Sequence, residues 1–248
     1  MRKISADCIY PVSSPAIEKG VVVLDEQGKI LAIEPRDQHD LTSLEIHQGV
    51  IVPGFINTHC HLELSHMKGK VNTGTGLIPF ITNVVQFRDV PQEEILAAIE
   101  NADQEMYEEG IVAVGDISNK TDTAAQKAKS PIRYYTFVEM FDFLQDANAQ
   151  QEYEKYEAVY DQHEHSEKNR KSCVPHAPYS VSPSLFQKIN ERNQKHSTVS
   201  IHNQETPPEN ELFLTKTGGF IDFYQGFGIA LDHFQPNQKT AIHYALAF

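Results

Sequence analysis

The chain has 248 residues and a formal net charge of −13, from 21 basic and 34 acidic side chains. Hydrophobic residues make up 40% of it and charged residues 22%, a balance typical of globular proteins and not of disordered ones. The excess negative charge disfavours binding to nucleic-acid phosphates or anionic membranes, and no apolar run approaches the ~18 residues of a membrane span.

The N-terminal stretch, residues 1–49, is predicted to form a small β-domain, a sandwich-like piece too short to bury much core alone. Apolar runs at 20–24 and 29–33, separated by the turn-forming residues 25–28, predict a hairpin. Two basic residues near the start are not followed by an apolar segment, so no signal peptide is expected, and three cysteines suit a reducing compartment. We therefore expect a cytoplasmic protein.

From residue 50 onward, short apolar runs alternate with longer stretches of helical character, such as 92–109, which predicts parallel strands covered by helices. The polar stretch 144–171 is interpreted as a solvated helix. Six βα units of about 33 residues each fit either an open doubly wound sheet or six-eighths of a (β/α)8 barrel. The runs predicted to be strands are 50–56, 111–114, 134–138, 172–174, 198–201 and 240–242.

His59 and His61 are the strongest chemical signal in the sequence. Residues two apart at the end of a strand point to the same side, so both imidazoles can reach one metal ion. With 12 histidines in the chain, about 0.6 such pairs are expected by chance, so two ordinary core or loop histidines are the alternative. A second pair, His163 and His165, lies in the polar stretch and is interpreted as solvated surface.

Further histidines follow three later apolar runs, at His176, His202 and His243. In a (β/α)8 barrel the C-terminal ends of the strands converge on one active-site face, so these residues would meet the first histidine pair there. Glu205 follows His202 by three residues, where a carboxylate can move a proton of a metal-activated water. The alternative for Glu205 is an acid favoured at a helix N-terminus, since residues 206–209 read as a helix start.

These blocks resemble the amidohydrolase superfamily, specifically its cytosine-deaminase-like and adenosylhomocysteine-deaminase/chlorohydrolase branch. The resemblance rests on residues 53–61 (PGFINTHCH), on residues 176–183 (HAPYSVSP) and on the spacing of His202 and Glu205, and it covers essentially the whole chain. It implies an α/β fold: a (β/α)8 TIM-type barrel, here incomplete with about six of eight units in residues 50–248. The small β-domain of residues 1–49 would flank that barrel.

The resemblance also implies a metal site. His59 and His61 would bind zinc or iron together with His202. Some relatives with two metals carry a carboxylated lysine on the fourth strand, but the strand leading to His176 offers no such lysine. One divalent metal is therefore expected, Zn²⁺ before Fe²⁺.

Catalytic and substrate-binding roles follow from the same resemblance. Glu205 would shuttle protons, and His243 would orient or polarise the attacking water or the leaving group. His176 would contact the substrate. The sequence Leu-Glu-Leu-Ser after His61 resembles aminofutalosine deaminases, which implies that Glu63 hydrogen-bonds a purine ring; a surface or helix-start acid is the alternative reading of Glu63.

The family's aspartate at the end of the eighth strand cannot be assigned in this sequence. The chain stops at Phe248, five residues after His243, whereas two more strands need roughly 65 further residues at ~30 per unit. We therefore expect either a truncated chain or a barrel completed by something else. Two open strand edges would favour pairing, including a homodimer.

The leading hypothesis is a metal-dependent hydrolase acting on C–N bonds, most simply a deaminase of a small purine-like heterocycle. A cyclic-amide hydrolase and a chlorohydrolase of the same superfamily use the same metal-activated water, and substrate choice lies in loops that motifs do not read. A truncated, non-catalytic metal-binding protein is the third possibility.

Overall fold

The computed structural model describes residues 1–195 and 197–248. Its N-terminal unit, Met1–Phe55, consists of short strands. The predicted hairpin is confirmed, because β4 (Gly20–Leu24) pairs antiparallel with β5 (Ile30–Pro35). Gly28 sits in its turn at φ 81°, and the Asp25 carboxylate accepts hydrogen bonds from the backbone of Gln27 and Lys29. The strands are β1 (Arg2–Ser5), β2 (Cys8–Ile9), β3 (Ile17–Glu18), β4 (Gly20–Leu24), β5 (Ile30–Pro35), β6 (Glu45–Ile46) and β7 (Val50–Ile51).

The strand predicted at residues 50–56 is two strands in the structure. Strand β7 pairs with β2 inside the N-terminal unit, and a new strand, β8 (Phe55–Cys60), starts after Pro53. Proline lacks the N–H that a continuous strand would donate, which explains the interruption. The boundary between the two units accordingly falls after Phe55.

The second unit, Ile56–Phe248, is built on a four-stranded sheet in the order β8-β9-β10-β11. Strands β9 (Ile111–Ser118), β10 (Arg133–Met140) and β11 (Arg170–Pro175) are mutually parallel, which confirms three of the predicted strands. The helices are α1 (Leu77–Phe87), α2 (Gln92–Glu108), α3 (Ala124–Lys129), α4 (Ala149–Gln162), α5 (Pro183–Arg192), α6 (Pro207–Thr215), α7 (Gly219–Gly226) and α8 (Ala241–Ala245). Of the helices described, none is long and apolar enough to cross a bilayer.

Helices pack on the sheet through the apolar positions that the sequence pattern indicates. Helix α2 buries Ile95 and Ile99 in a cluster with Val114 of β9. Helices α4 and α5 bury Tyr156 and Leu185 in a cluster with residues of β10 and β11. Both arrangements bury one stripe of an amphipathic helix and leave its polar face to solvent. The carboxyl ends of β9, β10 and β11 are thereby held at one edge of the sheet, where ligands bind in such folds.

Two predicted strands are wrong. Residues 198–201 are irregular, and Val199 is 58% exposed. The backbone N–H of Thr198 donates to the Tyr135 hydroxyl and its carbonyl oxygen accepts from that hydroxyl, so neither group bonds the backbone of a neighbouring strand. Residues 240–242 contain the start of α8, which follows Thr240. Runs of three or four apolar residues specify a strand only when a partner strand bonds them. Residues 56–195 and 197–248 hold no closed barrel, so the six-unit barrel is not confirmed.

The prediction for His163 is also wrong. Helix α4 ends at Gln162, and the His163 side chain turns inward, where its Nε2 bonds the backbone carbonyl oxygen of Lys120 at 3.3 Å. Only 4% of the residue is exposed, whereas His165 lies at the surface as expected. The burial of His163 results from its contact with the distant residue Lys120, so the polar sequence around His163 does not predict it.

Candidate active site

His59 and His61 lie at the carboxyl end of β8 with their ring centroids 5.1 Å apart. The strand alternation that the sequence indicated directs both rings to one side. The turn after them is fixed by the buried Asp116, whose carboxylate accepts the Leu62 backbone N–H at 2.8 Å and forms an ion pair with Lys127. The pair of imidazoles is thus held on a strand whose end is anchored in the core.

His202 completes a three-histidine cluster, although it comes from an irregular segment and not from a strand. Its Nε2 lies 3.2 Å from Nε2 of His61, and its ring centroid lies 4.9 Å from that of His59. Its Nδ1 lies 3.0 Å from the carbonyl oxygen of His176, which can only accept, so Nδ1 carries the proton. The Nε2 atom of His202 therefore presents a lone pair to the other two histidines.

The donor set of this cluster fits a divalent cation. One ring nitrogen from each of His59, His61 and His202 lies within 4.8 Å of the others. Burial lowers the pKa of His61 to about 4, and burial also lowers the pKa of His59, so both rings are neutral at pH 7. Three imidazoles around one point, with the Nδ1 atom of one hydrogen-bonded to a carbonyl, are typical of zinc ligands.

Glu205 borders the same cavity from the segment before α6. Its Oε2 accepts a hydrogen bond from the Tyr179 hydroxyl at 2.9 Å, and its backbone N–H donates to Glu209 at 2.9 Å. The predicted helix start after Thr206 is confirmed. The Glu205 side chain nevertheless lines the cavity, where it can exchange a proton with a bound molecule.

His176 follows β11 and lies between the cluster and the apolar core. Its Nδ1 bonds the Ser180 hydroxyl at 2.7 Å, and its ring packs edge-on against Phe141 and Tyr179. Burial lowers the pKa of His176 to about 3, so its imidazole is neutral. The ring lines the cavity next to His202 and is available to a ligand there.

Glu63 lines the cavity and is 3% exposed, in the first turn of a short 3-10 helix (Leu62–Met67). Its Oε2 accepts hydrogen bonds from the Ser118 hydroxyl and from the backbone N–H groups of Asn119 and Lys120, at 2.9–3.0 Å. Its Oε1 lies 3.6 Å from the guanidinium of Arg88. Burial, with the neighbouring charge of Glu139, raises the pKa of Glu63 to about 7.

Glu139 is a cavity residue that the sequence reasoning missed. It lies near the end of β10 and is 3% exposed. Its Oε1 accepts a hydrogen bond from the side-chain amide of Asn119 at 2.8 Å, and its Oε2 lies 3.9 Å from His202 and 4.0 Å from His176. The signal was present, because Glu139 is the one acid within the otherwise apolar run 137–141.

His243 is not brought to this cavity. It lies in α8, where its Nδ1 bonds the hydroxyl of Thr240 at 2.9 Å, and its side chain is exposed. The prediction for His243 depended on a strand ending at residue 242, and the structure has a helix there. Sequence spacing alone therefore put it in the wrong place.

The cavity has a volume of about 700 Å³. Besides the histidine cluster and the carboxylates described above, it is lined by apolar side chains from α1, from α7 and from the residue that follows β10, chiefly Leu77, Ile81, Val84, Phe223 and Phe141. Such a lining, apolar with a few polar groups, is typical of a small-molecule site.

A sequence model of the amidohydrolase family matches residues 50–238. The chain belongs to this family. The family that the histidine motifs resembled is thereby confirmed.

Two curated relatives of this amidohydrolase are deaminases by name. The chain is 28% identical to an adenosine deaminase of Helicobacter pylori over 90% of its own length, and 27% identical to an aminodeoxyfutalosine deaminase of Nitratiruptor sp. over 86%. The matches cover 55% and 52% of those proteins, so the chain spans about half the length of the curated relatives it matches. A crystal structure of Helicobacter pylori aminofutalosine deaminase with methylthio-coformycin has a TM-score of 0.76 at 25% identity, covering 97% of this chain and 59% of that one.

Proposed function

We propose that this amidohydrolase is a metal-dependent hydrolase that deaminates an aminated, purine-like heterocycle. The observation that carries the proposal is the convergence of three imidazole nitrogens beside a hydrogen-bonded glutamate in one cavity. The deaminase names of the relatives support the choice of bond, and the size and apolar wall of the cavity suit a nucleoside-like ligand.

His59, His61 and His202 would hold one divalent cation, with zinc preferred and iron as the alternative, because neutral imidazoles suit both metals. The cation supplies a Lewis acid that lowers the pKa of water toward neutrality. The chain fixes the ligand geometry from two directions: β8 carries the first two histidines, and the His176 carbonyl orients the third.

Glu205 would move the proton. It takes a proton from the attacking water and delivers it to the ring nitrogen of the substrate as the carbon–oxygen bond forms. The hydroxyl proton of the resulting adduct then passes to the amino group, the carbon–nitrogen bond breaks, and ammonia leaves as the carbonyl group forms. The Tyr179 hydroxyl holds one carboxylate oxygen of Glu205, which restricts the rotation of the side chain and keeps the other oxygen available.

Glu63 and His176 would bind the heterocycle. Glu63 is buried and His176 is half-buried in the cavity wall. The protein holds Oε2 of Glu63 and Nδ1 of His176, so Oε1 of Glu63, which lies 3.6 Å from Arg88, and Nε2 of His176 would meet the ligand. His243 has no part in this proposal, because its side chain is exposed and does not line the cavity. A small heterocyclic molecule is the proposed partner, since a cavity of about 700 Å³ suits such a ligand.

The first test is metal content and ammonia release from the purified protein. We expect about one zinc or iron per chain, lost in a His59→Ala/His61→Ala variant. In a panel of adenosine, pterin, cytosine, dihydropyrimidine and chlorotriazine compounds, we expect ammonia release from the aminated heterocycles, with adenosine preferred, and neither ring opening of the dihydropyrimidine nor chloride release from the chlorotriazine. Glu205→Gln is expected to lower turnover at least 100-fold while retaining the metal.

The matched control is Glu211→Gln, which neutralises an exposed acid on α6. It should leave both metal content and turnover unchanged. Normal turnover in Glu205→Gln would contradict the proton-transfer role. Metal binding without ammonia release from any substrate would favour a non-catalytic metal protein, and release of chloride or opening of a cyclic amide would move the proposal to those reactions.

A further inference from the structure

One carboxylate oxygen of Glu139 forms no hydrogen bond with the described residues of the protein. Oε1 bonds the side-chain amide of Asn119, whereas Oε2 is buried and has no hydrogen-bond partner among the described residues. Leaving a buried carboxylate oxygen unpaired is costly, so such an atom in a cavity wall calls for a partner that enters the cavity, such as a bound molecule, an ion or a water. A ligand that fits this cavity is therefore expected to donate a hydrogen bond to Oε2.

The protons around Oε2 can be assigned from neighbouring hydrogen bonds. The Ser180 hydroxyl donates to the carbonyl oxygen of Ala177, so it accepts from Nδ1–H of His176. The Nε2 of His176 is then a lone pair, 4.0 Å from Oε2 of Glu139. On the other side, Nδ1–H of His202 is already donated to the His176 carbonyl. Two acceptors, Glu139 Oε2 and His176 Nε2, thus face one gap.

A second metal ion fits this gap poorly. Glu139, His176 and His202 are close enough to surround an ion, but Nδ1 of His202 carries a proton and has no lone pair to give. Only two ligands remain, fewer than the three or four protein ligands of a zinc site. A hydroxyl group also satisfies the gap incompletely, because it has a single hydrogen. An amino group has two hydrogens for the two acceptors.

We propose that Glu139 and His176 together recognise the amino group of the substrate, with Glu139 Oε2 and His176 Nε2 each accepting one N–H. The inference deepens the proposed deaminase function, on which it rests, by naming the substrate group that these residues read. The gap borders the Nδ1 side of His202, which lies 3.9 Å from Oε2 of Glu139, and His202 is itself one of the three clustered histidines. An amino group held in the gap therefore lies beside the histidine cluster in the same cavity.

The variant Glu139→Gln tests this assignment with little change of shape. The Asn119 amide donates to position 139, so a glutamine there keeps its oxygen on Asn119 and turns its own NH₂ group into the gap. The NH₂ group of the introduced glutamine then faces the amino group of the substrate, and two hydrogen-bond donors oppose each other. The variant should therefore disfavour ligands with an amino group and tolerate ligands without one.

The experiment compares adenosine with purine riboside, which lacks the amino group, by calorimetric binding to zinc-loaded protein. Glu205→Gln is present throughout to stop turnover. We expect Glu139→Gln to weaken adenosine binding tenfold or more and purine riboside binding by less than threefold, with zinc content unchanged. The control Asp103→Asn removes a buried carboxylate that lies outside the cavity, on α2, and should leave the ratio of the two affinities unchanged.

Three results would overturn the inference: equal losses for both probes, no loss for either, or loss of zinc from Glu139→Gln. If Glu139→Gln does not fold, Asn119→Ala replaces it; that change frees the Glu139 carboxylate and should lower the preference for adenosine severalfold. Failure of both probes to bind the Glu205→Gln protein with Glu139 intact would instead contradict the proposed function itself, so the two failures are distinguishable.

Discussion

His163 shows how a single buried histidine makes folding depend on pH. Burial lowers its pKa to about 3, and the positive charges of Lys127 and Lys171 act in the same direction. Its Nε2–H is donated to the Lys120 carbonyl, and its own carbonyl accepts from the Lys171 ammonium at 2.6 Å. The neutral ring is therefore part of the fold, although it takes no part in the proposed chemistry.

We expect His163 to reduce the free energy of unfolding as the pH falls below 6.5, the value in the unfolded chain. There the unfolded state binds a proton that the folded state rejects until about pH 3, so stability is complete above pH 6.5 and decreases toward pH 3. The loss at pH 5 is at most about 2 kcal/mol. In His163→Gln, urea unfolding at pH 7 and pH 5 should differ by correspondingly less. An unchanged difference would contradict the burial.

Single residues were predictable where local spacing decides their position. His59 and His61 were found because strand alternation places them together. His202 was found as the histidine after the run 198–201, although that run is not a strand, and Glu205 was found by its spacing of three residues from His202. Glu139 was missed, since a lone acid in an apolar run gains meaning only once neighbouring strands bring histidines beside it. Glu139 on β10 and His176 after β11 are brought together because these two strands, although distant in sequence, pair in the sheet.

At the scale of elements, β9 and β8 approach so closely that one glycine decides the fit. A Cβ atom on Gly115 would lie 2.7 Å from the backbone carbonyl oxygen of Thr58 and 3.1 Å from the ring of Phe137. Thr58 directly precedes His59, so any displacement of β8 reaches the histidine cluster. Strand β8, which carries His59, can therefore lie in its observed position only because residue 115 on β9 has no side chain.

Gly115→Ala is expected to lower the free energy of unfolding by about 1–3 kcal/mol, as overpacking usually does, and to weaken zinc binding at least tenfold. Urea unfolding and competition against a zinc indicator measure the two effects. Gly226→Ala is the matched control, because a Cβ there meets nothing within 4 Å and the residue has no positive φ. Unchanged zinc affinity in Gly115→Ala would mean that β8 tolerates the shift.

Elements were predictable where a pattern extended over many residues or where neighbouring strands bond a short run. Helix α2 was confirmed because its periodic sequence is long, and β9, β10 and β11 were confirmed because adjacent parallel strands bond runs as short as 172–174. The runs at 198–201 and 240–242 were misassigned because so short a segment is decided by its hydrogen-bond partners: Tyr135 holds the first, and Thr240 begins a helix in the second. A barrel inferred from counting runs therefore counted two strands too many.

For the whole molecule, charge restricts the ligands of the cavity. The net charge is −13, and the two basic residues in the described cavity lining already face acids: Lys68 pairs with Glu105 at 2.9 Å, and Arg88 lies 3.6 Å from Glu63. A phosphate would meet repulsion from the protein at large and find no cation without a partner in that lining. This supports a neutral or cationic nucleoside-like substrate over a nucleotide.

Zinc binding should also raise the stability of the protein as a whole. A ligand that binds only the folded state stabilises it by about 2.7 kcal/mol at 100 times its dissociation constant. For a chain of this size that corresponds to a rise in the unfolding midpoint of roughly 5–10 °C. Calorimetry with and without zinc measures the shift.

His202→Ala should abolish this zinc-dependent shift, because the remaining two histidines hold the ion weakly. His165→Ala, which removes an exposed histidine, should keep it. A full shift in His202→Ala would place the zinc elsewhere among the histidines of the chain. A shift lost only in His202→Ala, by contrast, would show that an ion bound by β8 and by the irregular segment around residue 202 ties these two distant parts of the chain together.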